Sequence, residues 1–200
     1  TIIKFAKPII KALRALHRRE TLHQDIKPDN LFLTQSGSIK LIDFGSASVG
    51  SLAENLNLRA GAAEYAAPEY ALGIARDSRA DQFSLAVTFY ELLTGHYPYG
   101  ENYLAAKTPN QFRKLQYTSA CKHNPHVPLW LDAALAQALS LNPEHRYPEL
   151  SEFLIDLERP NTHLTLKAKP WLEQNPILFW QLTSVLLLLL NFILLGLWLK

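Results

Sequence analysis

Methionine is absent from the 200 residues, and the chain begins at Thr1. It is therefore read as a fragment or processed piece of something longer. Cysteine occurs once, at Cys121, which excludes an internal disulfide and fits a reducing compartment. An excess of one charge sign is lacking too. Lys and Arg number 20 against 18 Asp and Glu, a formal net charge of +2. So balanced a surface makes no field that would draw nucleic acid. No signal peptide is expected, because Lys4, Lys7 and Lys11 interrupt every apolar stretch near the N-terminus. No internal repeat is visible, and leucine-rich sequence is confined to the C-terminal end.

The exception to this mixed character is the end of the chain. From Ile177 to Leu199 there are 23 residues without a charge. As a helix they would measure roughly 35 Å, against a bilayer core of about 30 Å. Trp180 and Trp198 lie near the two ends, as interfacial aromatics do. A transmembrane helix over 177–199 is expected. Arg159, Lys167 and Lys169 precede it and only Lys200 follows, a bias that puts the preceding domain in the cytoplasm.

Ahead of this tail the periodicities are those of a mainly helical domain. Ile2, Phe5, Ile9, Leu13 and Leu16 mark one face of a helix over 1–19, with Pro8 either kinking it or marking its first turn. Leu31–Leu33 and Ile39–Ile42 read as two short strands joined by the turn Gln35-Ser36-Gly37-Ser38 into a hairpin, the one small sheet expected. Residues 46–63 read as a loop. The segment 79–93 is apolar nearly all round, as a helix in the middle of a core is, and Gly95 stands where a C-terminal cap would. Pro128 opens a helix carrying Leu131, Leu135, Ala138 and Leu139, and Leu150, Phe153, Leu154 and Leu157 mark a last amphipathic helix. The expected domains are a globular unit over 1–158, a proline-containing juxtamembrane tether over 159–176, and the span over 177–199.

Chemistry concentrates in one stretch. His23-Gln24-Asp25-Ile26-Lys27-Pro28-Asp29-Asn30 is followed by the hairpin and then by Asp43-Phe44-Gly45. A lone Asp in a loop or a lone Asp-Phe-Gly carries little information; their joint spacing carries much. The segment resembles the catalytic loop and metal-binding turn of protein kinases. That resemblance implies that Asp25 receives the substrate hydroxyl's proton and that Lys27 places a cation beside the γ-phosphate of ATP. Asn30 and Asp43 are then the oxygen ligands of Mg²⁺, a hard cation that prefers such donors. His23, Phe44 and Gly45 are support residues.

Other positions agree with the resemblance. Gly61–Glu69 reads GAAEYAAPE, resembling the kinase segment that ends in Ala-Pro-Glu. In the family that glutamate pairs with a buried arginine downstream, and Arg146 sits in the matching motif. Asp81 matches the aspartate that braces the catalytic loop. Two positions depart from the pattern. Gln24 stands where phosphorylation-switched kinases carry arginine, so a phosphate on residues 46–63 would lack a cation there, and Ser46, Ser48 and Ser51 read as ordinary loop serines. Ala62 stands where threonine is usual.

The resemblance covers 1 to about 157, the C-terminal lobe of a kinase: helical, with a small hairpin. The Gly-rich loop, the strand lysine and the helix glutamate of the N-terminal lobe are not in these residues, so the fragment alone is expected to be inactive. With its C-terminal span, the chain is most similar to the kinase half of bacterial bifunctional proteins in which a type 2C phosphatase domain precedes the kinase. The implied partners are a protein substrate, the N-lobe, that phosphatase domain and a lipid bilayer. The implied activity is phosphorylation of serine or threonine, since Lys27 stands where tyrosine kinases generally differ. A pseudokinase binding module and a structural membrane adaptor are the rival readings; neither accounts for Asp25, Lys27, Asn30 and Asp43 together. A zinc site at Cys121, His123 and His126 would lack a second ligand cluster, and histidines satisfied by solvent or core are expected there.

Overall fold

The computed structural model describes residues 2–49 and 63–161, together with 180, 181, 184 and 187. The chain divides into two units, Thr1–Thr162 and His163–Lys200. In the first, helix α1 (Ile3–His17) buries Ala6, Ile9, Ile10 and Leu13, the i, i+3, i+4, i+7 stripe of an amphipathic helix. Phe5 and Leu16 are only half-buried. Pro8 lies inside the helix rather than in its first turn. Its missing N–H would have served the Lys4 carbonyl, and both residues are exposed, so that acceptor is open to solvent.

Strand β1 (Thr21–Leu22) follows α1, then β2 (Leu31–Leu33), β3 (Ile39–Leu41) and β4 (Ser48–Val49). β2 and β3 form the expected antiparallel hairpin, with Leu31 opposite Leu41 and Leu33 opposite Ile39. There is a second ladder where a loop was expected. Ser48–Val49 pairs antiparallel with Thr21–Leu22. Two residues are too short to show a period of two, which is why the sequence pattern does not reveal it. Residues 50–62, including Ala62, lie outside the described residues.

Helix α2 (Pro68–Leu72) leads to the long α3 (Ser78–Thr94). Asp77 caps α3 by accepting from the Arg79 N–H at 2.8 Å. Gly95 ends it in the left-handed region at φ +71°, where a Cβ would be strained. Every residue from Ala80 to Tyr90 is buried, so α3 is the axis of the core. The polar ones among them are all partnered: Thr88 Oγ1 donates to the Ser84 carbonyl at 2.8 Å, and Gln82 exchanges two hydrogen bonds with the backbone of Tyr147. Burial of each large side chain such as Phe83 or Phe89 stabilises by roughly 1.5–3 kcal/mol. Phe89→Ala would cost about 3–5 kcal/mol.

Around this axis sit α4 (Asn102–Ala105), α5 (Pro109–Lys114), α6 (Ala120–His123), α7 (Leu129–Ala138) and α8 (Leu150–Glu158). α7 packs on α3 and α8, and α8 packs on α1. Pro128 occupies the N-cap of α7 rather than its first turn. α5 begins with a capping box between Thr108 and Gln111. His123 stacks on His96, ring centroids 4.0 Å apart.

Among the described residues no helix is long and apolar enough to cross a membrane. The expected span over 177–199 lies outside the described residues, except that Trp180, Gln181, Ser184 and Leu187 are helical and exposed. The tether beyond 161 lies outside them as well.

Candidate active site

The chain leaves β1 and turns sharply at Gln24, which sits at φ +66°. A non-glycine residue in that region is uncommon and needs outside support. Asp81, on the first turn of α3 and fully buried, supplies it. Its Oδ2 accepts from the His23 N–H at 2.8 Å and its Oδ1 from the Gln24 N–H at 2.9 Å. His17, at the end of α1, places Nε2 2.8 Å from the same Oδ2. One carboxylate thus joins α1, the loop and α3. The loop is also held further along, where the Thr88 hydroxyl lies 3.4 Å from the Ile26 carbonyl.

Three of the predicted site residues share one carboxylate. Asp25 Oδ2 accepts from Lys27 Nζ and from Asn30 Nδ2, each at 3.0 Å. Asn30 Nδ2 also donates to the Asp25 carbonyl at 2.6 Å. Neither contact uses Asp25 Oδ1. Asp25 and Asn30 are buried and Lys27 is half-buried, so the Lys27 ammonium acts on the carboxylate at reduced dielectric. With its amide nitrogen committed to Asp25, Asn30 keeps its Oδ1 as a free acceptor.

The hairpin returns the chain to this place. The Ile42 N–H donates to the Asn30 carbonyl at 2.9 Å, and Asp43 follows directly at φ +61°. Asp43 is exposed, and its Oδ1 accepts from the Gly45 N–H at 3.1 Å. A Cβ on Gly45 would lie 3.1 Å from that oxygen, so glycine is what leaves the Asp43 carboxylate room. Phe44 sets its ring edge against His23, centroids 5.1 Å apart. Asp43 therefore reaches the cluster through the backbone, and its side chain makes no hydrogen bond or ion pair with Asp25, Lys27 or Asn30.

His23 is fully buried. Burial holds its pKa below the ordinary value of 6.5, against the opposite pull of Asp81, the Ile42 carbonyl, Asp25 and Asp43. The ring is neutral at pH 7, and its Nδ1 faces the Asp25 N–H at 3.4 Å.

Glu69 and Arg146 form a pair away from this cluster. The Arg146 guanidinium donates to Glu69 Oε1 at 2.6 Å and Oε2 at 2.9 Å. It also donates to the carbonyls of Ser140 and Arg79 and lies 4.8 Å from the centroid of Phe83.

Two contacts have no counterpart in the sequence reading. His17 reaches Asp81 across 64 positions, and its place in the last turn of an amphipathic helix was the only available signal. The Gln24 amide donates to the Ser48 hydroxyl. Ser48 is thus a partner of the turn at Gln24 rather than an ordinary loop serine.

The family model for the protein kinase domain matches residues 1–155. The chain is 35% identical over 162 residues to a probable serine/threonine-protein kinase of Clostridium acetobutylicum, covering 78% of this chain and 24% of that protein. It is 34% identical over 160 residues to the serine/threonine-protein kinase Pkn1 of Myxococcus xanthus, covering 76% and 23%. It is 32% identical over 168 residues to the serine/threonine-protein kinase PknL of Mycobacterium tuberculosis, covering 82% and 42%. The chain spans about a quarter of the length of the first two of these relatives.

Proposed function

This chain belongs to the protein kinase domain family, and we propose that its parent protein transfers the γ-phosphoryl group of ATP to serine or threonine hydroxyls of proteins. The observation that carries this reading is the Asp25 carboxylate, with Oδ2 engaged by Lys27 and Asn30 and Oδ1 left by both. A hydroxyl approaching Oδ1 meets a base whose orientation is held by two donors. Asp81 fixes the backbone on which that base stands. Lys27 offsets charge beside the hydroxyl. Phosphoryl transfer asks a protein mainly for such positioning and charge neutralisation.

Asn30 and Asp43 fit Mg²⁺ by the chemistry of their donors: an amide oxygen freed by commitment of its nitrogen, and an exposed carboxylate with one oxygen beyond its bond to Gly45. Bound ATP supplies the phosphoryl group, and magnesium offsets its charge.

Phe32, Leu33 and Phe44 are half or more exposed, and Ile42 is also exposed. So many large apolar side chains on one hairpin and the turn after it call for a cover. In the proposed parent that cover is an N-terminal lobe, which brings the remaining ATP contacts. A type 2C phosphatase domain further upstream, a tether over 159–176 and a membrane span over 177–199 with the kinase domain cytoplasmic complete the proposal. Their support is the resemblance and the uncharged length of the tail. Incubating the parent with ATP and magnesium and mapping the modified residues by mass spectrometry tests the reading. Phosphoserine or phosphothreonine is expected, and phosphotyrosine alone would contradict it.

A further inference from the structure

The outward side of α1 and the residue that ends it carry Lys4, Lys7, Lys11, Arg14 and Arg18, all of them exposed. At the helical repeat these positions fall within an arc of about 80°, in a row roughly 21 Å long. Ala6, Ile9, Ile10 and Leu13 hold the inward side in the core. No acidic residue occurs anywhere in α1. Among the described residues none of the five cations is in an ion pair. Arg14 and Arg18 line a cleft with Glu20, Asp77 and Glu149, yet pair with none of them.

The helix gains nothing from this row. Successive members, from Lys4 and Lys7 to Arg14 and Arg18, are three or four positions apart, the spacing at which like charges destabilise a helix. Lys4 stands in the first turn, where the positive end of the helix dipole disfavours a cation. Only Arg14 and Arg18 lie at the end the dipole favours. A row of cations that repel one another on a helix without carboxylates is suited to an anion from outside the domain.

Its form and its place in the chain identify that anion. A straight row within so narrow an arc can meet a plane along its whole length. α8 packs on α1 and ends at Glu158, where the segment 159–176 begins. That segment carries Arg159, Lys167 and Lys169 and, fully extended, reaches at most about 60 Å. A span over 177–199 would therefore keep the domain close to a bilayer, where even weak charge attraction is effective. We propose that the basic row of α1 docks on the surface of an anionic lipid bilayer. The inference rests on the membrane reading of 177–199 for bringing the domain to that surface; attraction of the row to anionic headgroups does not require the span.

The test reconstitutes the parent protein with nanodiscs of phosphatidylcholine alone, or of two parts phosphatidylcholine to one part phosphatidylglycerol. Lysines are acetylated briefly with a water-soluble reagent and mapped by mass spectrometry. Labelling of Lys4, Lys7 and Lys11 is expected to fall about fivefold in the anionic discs relative to the neutral ones. Lys107 and Lys114, exposed on and before α5, should label equally in both. Raising the salt from about 0.1 M to 0.5 M should restore the labelling. With Lys7→Gln, Lys11→Gln and Arg14→Gln combined, Lys4 should label equally in the two lipids. Equal labelling of the wild-type lysines in both discs would overturn the proposal, as would a Lys4 that stays protected in the combined variant. Protection in neutral discs by added duplex DNA or polyglutamate that exceeds protection by phosphatidylglycerol would give the row to another polyanion and overturn it too. The wild-type comparison needs no variant, so a misfolded variant would not decide the matter. Copurification with the neutral discs reports the span separately: its failure would sink the span, while selective protection by anionic discs would still support the docking surface.

Discussion

Arg146 and Glu69 lie 77 positions apart and meet as a two-pronged ion pair with almost no exposure on either side chain. The pair ties the start of α2 to the turn before α8. Arg146 also covers the ring of Phe83 on α3.

Removal of one partner strands the other charge in the core, at a cost of roughly 3–5 kcal/mol. Arg146→Ala in the parent protein is expected to lower kinase-domain stability by that order in urea denaturation, with Glu69→Ala similar. The double substitution should cost less than the sum of the two. Additive losses would show that the pair is not the unit of stabilisation.

Asp81 satisfies two backbone donors and the His17 ring with one carboxylate. Asp81→Ala orphans the His23 and Gln24 N–H groups, each costing about 1–3 kcal/mol, and frees Gln24 to leave its left-handed backbone. The expected result is a larger fall in kcat than in affinity for the peptide, because Asp25 loses its orientation. His17→Ala should give a smaller loss of the same kind. A His17→Ala protein with unchanged kcat would remove His17 from the positioning of the loop.

The buried His23 has its pKa depressed in the folded protein. The neutral ring is the folded form, so the unfolded chain binds more protons between the folded pKa and 6.5. Stability is therefore full above about pH 6.5 and falls as the pH drops below it through the folded pKa. Urea midpoints measured at pH 7.5 and 5.5 should differ in the wild type, with the lower at pH 5.5. In His23→Gln the difference should shrink. An equal fall in both proteins would place the sensitivity elsewhere.

The span proposed for 177–199 predicts a partition experiment. A parent chain ending at Gln174 should stay in the soluble fraction after lysis, and the complete chain should require detergent. Each leucine of the run 186–190 favours insertion by about 0.3–0.6 kcal/mol. A complete chain that remained soluble and monomeric without detergent would contradict the anchor.

Much of the core was legible in the sequence because long helices repeat their pattern. α3 carries apolar residues nearly all round and is closed by Gly95, and α7 and α8 show their leucines at helical spacing. The short elements were not legible. β4 owes its existence to pairing with β1, and α2, α4 and α6 have four or five residues each, less than two turns. α5 did carry a signal, the capping box Thr108–Gln111, that periodicity alone passes over. Within the candidate site, the resemblance singled out Asp25, Lys27, Asn30 and Asp43, and the structure joins the side chains of the first three. The His17–Asp81 and Gln24–Ser48 contacts were not legible, since each joins elements whose proximity arises only on folding.

The central claim is that Asp25 is the base of a phosphoryl transfer, and the measurement closest to it is single-turnover transfer from ATP by the parent carrying Asp25→Asn. Asparagine keeps the shape and one acceptor oxygen and removes the basicity. A positioned proton acceptor is worth about 10² to 10⁴ in rate, so transfer to serine or threonine should fall by at least a hundredfold while ATP affinity changes little. Transfer at the wild-type rate in Asp25→Asn would contradict the account.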